Sequence, residues 1–304
     1  MNGVNYLNVA SPLDELSPEK KYFLLPFYKD SKPLKNGKRW GMTFLAAGSM
    51  RFRWNEKNER RENLLNSIIA DNYALHSVST TINKNENFSQ KIKIVPLELI
   101  HSKKVFSVEC GDETKNCTGD GIVTANPLLM PVLTVADCVP IYFYDDTTGV
   151  FGVVHSGWKG TGIIEVAIQL AVEKYGCKIV DICVAIGPHI QSECYFIEKE
   201  RRDFFEENFG SCTSKILSTN PPQTPDGKVL NYKLSLTKAN LNVLKKIGIK
   251  ESNIVVANEC TSCSKFLSGK YIFGSFRRQT AHLPQDMDIE EKNKMMTVQA
   301  AFVL

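Results

Sequence analysis

The chain has 304 residues, 43% hydrophobic and 23% charged, and 37 Lys and Arg against 33 Asp and Glu leave a formal charge of only +4. That length can bury a full core, and basic residues so evenly offset form no electrostatic footprint for nucleic acid or a membrane surface. The first 23 residues hold no signal-like apolar run, no membrane-length apolar stretch occurs, and the nine cysteines are an odd count, so a cytoplasmic protein with reduced thiols is expected.

Residues 1–38, rich in Lys, Pro and Ser, read as a loosely attached arm, and residues 39–304 as one domain. RWGMTFLAAG (39–48) has the composition of a first strand. ENLLNSIIADNYAL (62–75) spaces its apolar residues three and four apart, as an amphipathic helix does. The polar stretch 82–90 reads as a loop. KIKIVPLELIHSKKVFSVE (91–109) alternates as one or two strands, with Pro96 at an edge or bulge because it cannot donate to a ladder. The runs 131–138, 140–146 and 150–158 are short, apolar and bounded by turn residues, the mark of buried strands. GTGIIEVAIQLAVEKYG (160–176) is the clearest helix: Ile164, Ile168, Ala171 and Tyr175 share a face, and Gly176 stands at its C-terminal stop. Further strands are expected over 179–187, 193–198, 253–261 and 271–276, and helices over 201–210 and 236–248. The turn-rich stretch 211–228 and the polar stretch 284–294 read as surface. Strands outnumber helices without alternating with them, so stacked mixed sheets flanked by helices fit better than a doubly wound sheet.

Five histidines occur: His76, His101, His155, His189 and His282. His155 follows VFGVV and precedes SGWKGTG, Cys138 ends PVLTVAD before Pro140, and His101 ends IVPLELI. Donors at three strand ends can converge in space. Two imidazoles and a thiolate leave a tetrahedral ion one open position, as in catalytic rather than structural zinc. The bland alternative is a buried free cysteine and two ordinarily hydrogen-bonded histidines. Other residues also carry two readings. Asp137 either supports a ligand or closes a turn, and Asp120, between Gly119 and Gly121, suits a turn. Gly157, Gly160 and Gly162 either aim helix-start N–H groups at a phosphate or simply connect. Trp158 stacks on a planar ligand or joins the core, Arg277 and Arg278 hold an anionic or sugar ligand or are solvated, and His189 reads as a loop histidine. Cys260 and Cys263 form one CxxC without a second pair, short of the four ligands of structural zinc.

The stretch 118–162 resembles the signature of the laccase-domain family, proteins named polyphenol oxidases and also described as purine nucleoside phosphorylases. GDGIVT (119–124), TVADCVPIYFYD (134–145) and GVVHSGWKGT (152–161) carry the match; AIGPHIQSECYFI (185–197), Cys260-Thr261 and GSFRR (274–278) extend it. The resemblance covers residues 39–280 and implies an α/β fold, a four-layer α/β/β/α sandwich of mixed sheets in a single domain. It places the family's zinc ligands on His101, Cys138 and His155, which then form the catalytic centre. It further implies zinc-dependent phosphorolysis of adenosine, inosine or related nucleosides, with adenosine deamination as a second reaction at the same open metal position. Lys159 and Arg278 are then expected to hold phosphate, and Asp120 becomes a substrate-site candidate.

The chain departs from the family pattern in several places. Leu99-Ile100-His101-Ser102 replaces a Gln two before and a Gly after the first histidine, Lys159 stands where the family has Arg, AAGSMRFRW (46–54) is a reduced N-terminal signature, and Arg277-Arg278-Gln279 is a reduced ending. Lys keeps the charge at 159 but loses the bidentate fork. Two other readings stay open. Cys138 with His155 can be the nucleophile–base pair of a hydrolase acting on an amide, for instance in a cell-wall precursor. Alternatively the chain is a non-catalytic interaction protein that zinc stabilises. A multicopper oxidase is set aside by counting: its copper set needs about ten histidines, and this chain has five.

Overall fold

A computed structural model describes residues 3–11, 20–77, 92–218, 220–224, 227–284 and 286–304. The chain begins with strands β1 (Asn5–Leu7), β2 (Tyr22–Pro26), β3 (Tyr28–Lys29), β4 (Lys32–Pro33) and β5 (Arg39–Thr43), followed by helix α1 (Glu59–Ser77). Next come β6 (Lys93–Pro96), β7 (Val105–Ser107), β8 (Gly121–Thr124), β9 (Leu129–Val135), β10 (Val139–Asp145) and β11 (Phe151–Ser156). Then follow α2 (Ile163–Tyr175), β12 (Ile182–Ile186), β13 (Phe196–Ile197), α3 (Lys199–Phe209), β14 (Thr213–Lys215), β15 (Tyr232–Leu234) and α4 (Leu236–Lys246). The chain closes with β16 (Ile254–Ala257), α5 (Phe276–Gln279), α6 (Ile289–Lys294) and β17 (Gln299–Val303).

Two mixed sheets dominate. The larger has seven strands in the order β1-β16-β12-β10-β11-β8-β7, and the smaller has five in the order β2-β5-β17-β9-β6. Strand β10 pairs antiparallel with both β11 and β12, Pro140 lying opposite His155 and Tyr142 opposite Ala185. Its residues divide by parity between two cores. Ile141 and Phe143 pack, with Val154 and Val184, against Ile164 and Ile168 of α2, Phe205 of α3 and Leu244 of α4. Tyr142 and Tyr144 turn the other way, with Val153 and Ala185, onto Trp40, Met42, Leu133 and Ala301 of the smaller sheet. A third cluster joins Met130, Val132, Ala300 and Phe302 to Leu65, Ile68 and Ile69 of α1. Strands covered on both faces need no polar alternation, which is why 131–146 reads as nearly continuous apolar sequence. Between the sheets the rings of Trp40 and Tyr142 lie 5.4 Å apart, and the Tyr142 hydroxyl donates to the Gly41 carbonyl at 3.1 Å. A Cβ at Gly41 would stand 2.4 Å from the Phe23 carbonyl oxygen, so this close approach requires glycine.

The mixed α/β organisation expected from the sequence is found, and Gly176 does end α2 in the left-handed conformation, with φ 72°. Two strands do form within 92–109; β6 and β7 lie at edges of different sheets, and Pro96 ends its edge strand. Three readings need correction. Residues 3–11 and 20–38 are no loose arm: β1 pairs with β16, β2 pairs with β5, and Phe23 and Phe27 are buried. Their largest apolar side chains, Phe23 and Phe27, lie in the core among Lys, Pro and Ser, so average composition hid them. Residues 271–276 do not form a strand; Tyr271 makes a lone bridge to Lys265, and α5 begins at Phe276. Of 193–198 only Phe196–Ile197 is strand; Glu193 and Cys194 lie in a turn. Strand β17 was not anticipated, although it occupies the middle of the five-stranded sheet. The loop reading of 82–90 falls outside the described residues, among which no helix is long and apolar enough to cross a membrane.

Phe302 is fully buried between α1 and its own sheet. Phe302→Ala should therefore lower unfolding free energy by about 3–5 kcal/mol, read as an earlier midpoint in urea with an unchanged slope.

Candidate metal centre

The centre forms where three strands of the large sheet end together. Cys138 precedes β10, His155 closes β11 opposite Pro140, and His101 lies on the loop before β7. The donor atoms of His101, Cys138 and His155 all lie within 4.8 Å of one another, with His155 buried, Cys138 half-buried and His101 exposed. The imidazole rings of His101 and His155 meet edge to face, with centroids 4.9 Å apart.

Asp120, fully buried ahead of β8, orients this group. One carboxylate oxygen accepts from the His101 backbone N–H at 3.0 Å and pairs with His155 Nδ1 at 2.9 Å. The other accepts from the Ser102 N–H at 2.6 Å and the Ser102 hydroxyl at 2.7 Å. His155 donates its own backbone N–H to the Asp120 carbonyl at 2.7 Å. With Nδ1 held by the carboxylate, Nε2 is the nitrogen left to a ligand, and the carboxylate raises its basicity. His101 adopts φ 58°, a region a bulky residue enters only when its surroundings demand it; here its N–H is aimed at Asp120. Gly157, read from the sequence as a phosphate-facing or connecting glycine, has a different role. A Cβ there would lie 3.0 Å from the Cys138 sulfur, 3.4 Å from the His101 ring and 3.6 Å from the His155 ring. Only a glycine after β11 keeps the space between the three donors open.

The electrostatics follow from burying acidic and basic groups side by side. Burial pushes the Cys138 thiol up, but His155 and His101 outweigh it and bring it down to about 6. Burial pushes His155 down, but the Cys138 thiolate and the Asp120 carboxylate raise it to about 10. Asp120 itself ends below its ordinary value, because its bonds to His155 and Ser102 outweigh burial. Two negative groups thus converge on one position, and in the bare chain an imidazolium answers them. A divalent cation held by neutral imidazoles would balance the same two charges.

Around the mouth the structure distributes the expected contacts differently. Trp158 is 37% exposed and not part of the core; the Arg201 guanidinium stacks 4.6 Å over its ring, and Lys159 Nζ lies 5.4 Å from the ring centre. Arg277 lies 5.5 Å over the ring of buried Tyr195. Arg278, expected to hold phosphate, is committed to the chain itself: it donates to the carbonyls of Thr261, Ser262 and Phe273 at 2.8, 2.7 and 2.6 Å and stacks 3.8 Å over Tyr271. Asp137, at φ 77°, makes no bond to a candidate ligand. Its carboxylate accepts from the hydroxyls of Thr261 at 2.6 Å and Ser275 at 2.9 Å and from the Arg277 N–H at 2.7 Å. His189 does lie in a connection, between β12 and β13, but is fully buried there, with Nδ1 on the Gly187 carbonyl at 2.7 Å and Nε2 on the Thr237 hydroxyl at 2.9 Å.

Fold and donor set together define a mixed α/β protein with a two-histidine, one-cysteine candidate metal centre. The chain belongs to the family described as multi-copper polyphenol oxidoreductase laccase, which it matches over residues 68–282. It is 33% identical over 189 residues to a purine nucleoside phosphorylase of Borreliella burgdorferi, covering 61% of this chain and 77% of that one. To the mouse purine nucleoside phosphorylase LACC1 it is 35% identical over 157 residues, 49% of this chain but only 34% of the mouse protein. The crystal structure of YlmD from Geobacillus stearothermophilus superposes with TM-score 0.62 at 24% identity, covering 88% of this chain and 91% of that one, so the two share the fold. The multi-copper part of the family's description finds no counterpart in the donors: the described residues bring together only two groups of three His, Cys, Asp or Glu.

Two outcomes follow. Asp120→Asn removes the anion that holds His155, so metal affinity should fall about 10–100-fold, measured by competition with a chromophoric chelator. Burial lowers the His189 pKa from 6.5 to about 4. Between those values the unfolded chain binds more protons than the folded one, so stability present above pH 6.5 is progressively lost as pH falls towards 4. His189→Gln should flatten that part of a melting-temperature profile against pH.

Proposed function

We propose that the chain is a zinc-dependent purine nucleoside phosphorylase acting on adenosine, inosine or a related nucleoside, with its working residues inside 39–304. The observation that carries this reading is the convergence of His101, Cys138 and His155 around a space that Gly157 keeps open. The mixed nitrogen and sulfur donor set suits zinc, and three protein ligands are the number found in catalytic sites. The names of relatives such as the Borreliella protein supply the reaction class. Nine free cysteines fit a reducing cytoplasm.

In phosphorolysis a phosphate oxygen attacks C1′ of the ribose, the N-glycosidic bond breaks, and its electron pair leaves with the purine. Zinc, when bound, supplies Lewis-acid polarisation. The remaining work falls to the chain. Lys159, Arg201 and Arg277 stand at the rim around Trp158 and Tyr195, and their charges favour a phosphate dianion over a neutral competitor. Lys103 approaches Gly162, whose helix start has no side-chain cap, and adds a fourth cation there. Arg278 takes no part, since its donors serve the backbone.

One observation favours a rival. Asp120, His155 and Cys138 form an acid–imidazole–thiol sequence of the kind a cysteine hydrolase uses. A hydrolase needs a single base, however, and here a second imidazole, that of His101, also faces the sulfur. Two imidazoles around one sulfur fit a chelate better than a hydrolytic dyad.

Metal analysis with an adenosine assay tests the reading. Cys138→Ala should lose one zinc per chain along with activity. The wild type should release adenine and ribose 1-phosphate only when phosphate is present; inosine formed without phosphate would mean deamination instead. Amide cleavage by metal-stripped protein, with Cys138 readily alkylated while zinc is bound, would install the hydrolase. Lys159→Ala should keep its zinc and raise the phosphate KM about tenfold, the worth of one charge-assisted hydrogen bond.

A further inference from the structure

Apart from the first centre, three thiols from two segments meet on the protein surface. The Sγ atoms of Cys194, Cys260 and Cys263 all lie within 4.8 Å of one another, with Cys260 buried, Cys194 half-buried and Cys263 exposed. In the sequence only the Cys260–Cys263 pair was visible, one pair without a second. The fold supplies the third sulfur by laying the turn before β13 against the turn after β16.

The turn carrying the pair is held from several directions. The Ser264 N–H donates to the Cys260 carbonyl at 3.0 Å, the Cys260 N–H to the Ser264 hydroxyl at 2.8 Å, and the Thr261 N–H to the His189 carbonyl at 3.1 Å. Arg278 clamps the carbonyls of both intervening residues, Thr261 and Ser262, and brings a positive charge beside the sulfurs. The Gln191 N–H already points at the Cys260 sulfur, 3.3 Å away, as backbone amides do when a thiolate needs support. Sulfurs this close are near the spacing that about 2.3 Å bonds to one ion would impose, so small side-chain rotations suffice to close the set.

We propose that Cys194, Cys260 and Cys263 form a second metal site, which takes a thiophilic d10 cation, Zn²⁺, through three thiolates with solvent in the fourth position. Soft thiolate sets select such ions over oxygen-seeking ones. The exposed side of Cys263 leaves the fourth position open to water. Without an ion, burial together with the Cys194 and Cys260 sulfurs raises Cys263 to about 12, and burial together with Cys260 raises Cys194 above its ordinary value. Thiols held protonated are poor nucleophiles, which disfavours a readily exchanging disulfide as the purpose of the cluster. The site lies close to the first centre along the chain's own bonds, because Thr261 of the clamped turn donates to Asp137, the neighbour of Cys138. It does not depend on the nucleoside reading, and its test counts ions rather than turnover.

The full chain, reduced and stripped of metal, is titrated with Co²⁺ as an optical stand-in, reading ions bound and the near-ultraviolet sulfur-to-cobalt band. Two ions per chain are expected for the wild type. Cys138→Ala should bind one and keep most of the band, since three of the four thiolates remain. Cys263→Ser should also bind one and lose most of the band; Cys194→Ser should reproduce that spectrum. Zinc should protect Cys263 of unmutated protein from a maleimide. A single ion in the wild type, with a band that disappears entirely in Cys138→Ala, overturns the second site. So does a reduced chain in which zinc leaves maleimide labelling of Cys263 unchanged.

Discussion

The Asp120 carboxylate is the interaction on which the candidate centre depends. It fills its acceptor positions with two backbone N–H groups, a hydroxyl and an imidazole, and so ties the loop of His101 to the strand end of His155. Burying a carboxylate this completely is costly unless every lone pair is engaged, and here it is. The flanking glycines let Asp120 sit so deep. A Cβ at Gly119 would stand 2.8 Å from the Phe106 ring, and one at Gly121 would stand 2.9 Å from both Val105 and Val154. Glycine–aspartate–glycine is thus less a turn signal than a way of threading a carboxylate between β7 and β11.

Charge balance follows from that placement. Asp120 and the Cys138 thiolate converge on a position that only positive charge can stabilise. In the bare chain His155 supplies it, which is why its pKa rises to about 10 while that of Cys138 falls to about 6. The arrangement that resembles a hydrolase dyad and the arrangement that would hold a cation are therefore one geometry in two protonation states. His101 separates them, for a second imidazole adds a donor without adding a base that a hydrolase would use.

The two thiol-bearing regions are linked through the C-terminal segment. Asp137 gathers Thr261, Ser275 and the Arg277 N–H, and Arg278 gathers the carbonyls of Thr261, Ser262 and Phe273. An acid and a base adjacent to the two cysteine turns thus divide the labour, one binding donors and the other acceptors. This makes the Arg277-Arg278 pair unequal: Arg277 is left to face the mouth beside Tyr195, while Arg278 is internal scaffolding.

Much of this was legible from local pattern. The period of 164, 168, 171 and 175 gave α2, the paired apolar runs gave β9, β10 and β11, and their ends placed Cys138 and His155 where a site could form. Local pattern works there because those elements are apolar on the faces they bury and are punctuated by glycine. Residues whose partners lie far away in sequence were decided by tertiary structure alone. Asn5 bonds the carbonyls of Ser252 and Ile254, so a segment of polar composition became the edge of a sheet. Arg278 found its acceptors 5 to 17 residues back, across a turn, and His189 found Thr237 48 residues on; nothing in their neighbours announced either. The third sulfur of the thiol cluster and the space that Gly157 keeps open belong to the same class. Sequence alone determined which donors this protein offers and where its most apolar strands lie; only packing, by bringing distant polar groups into pairs that exclude water, decided the remaining strands and which donors face one another.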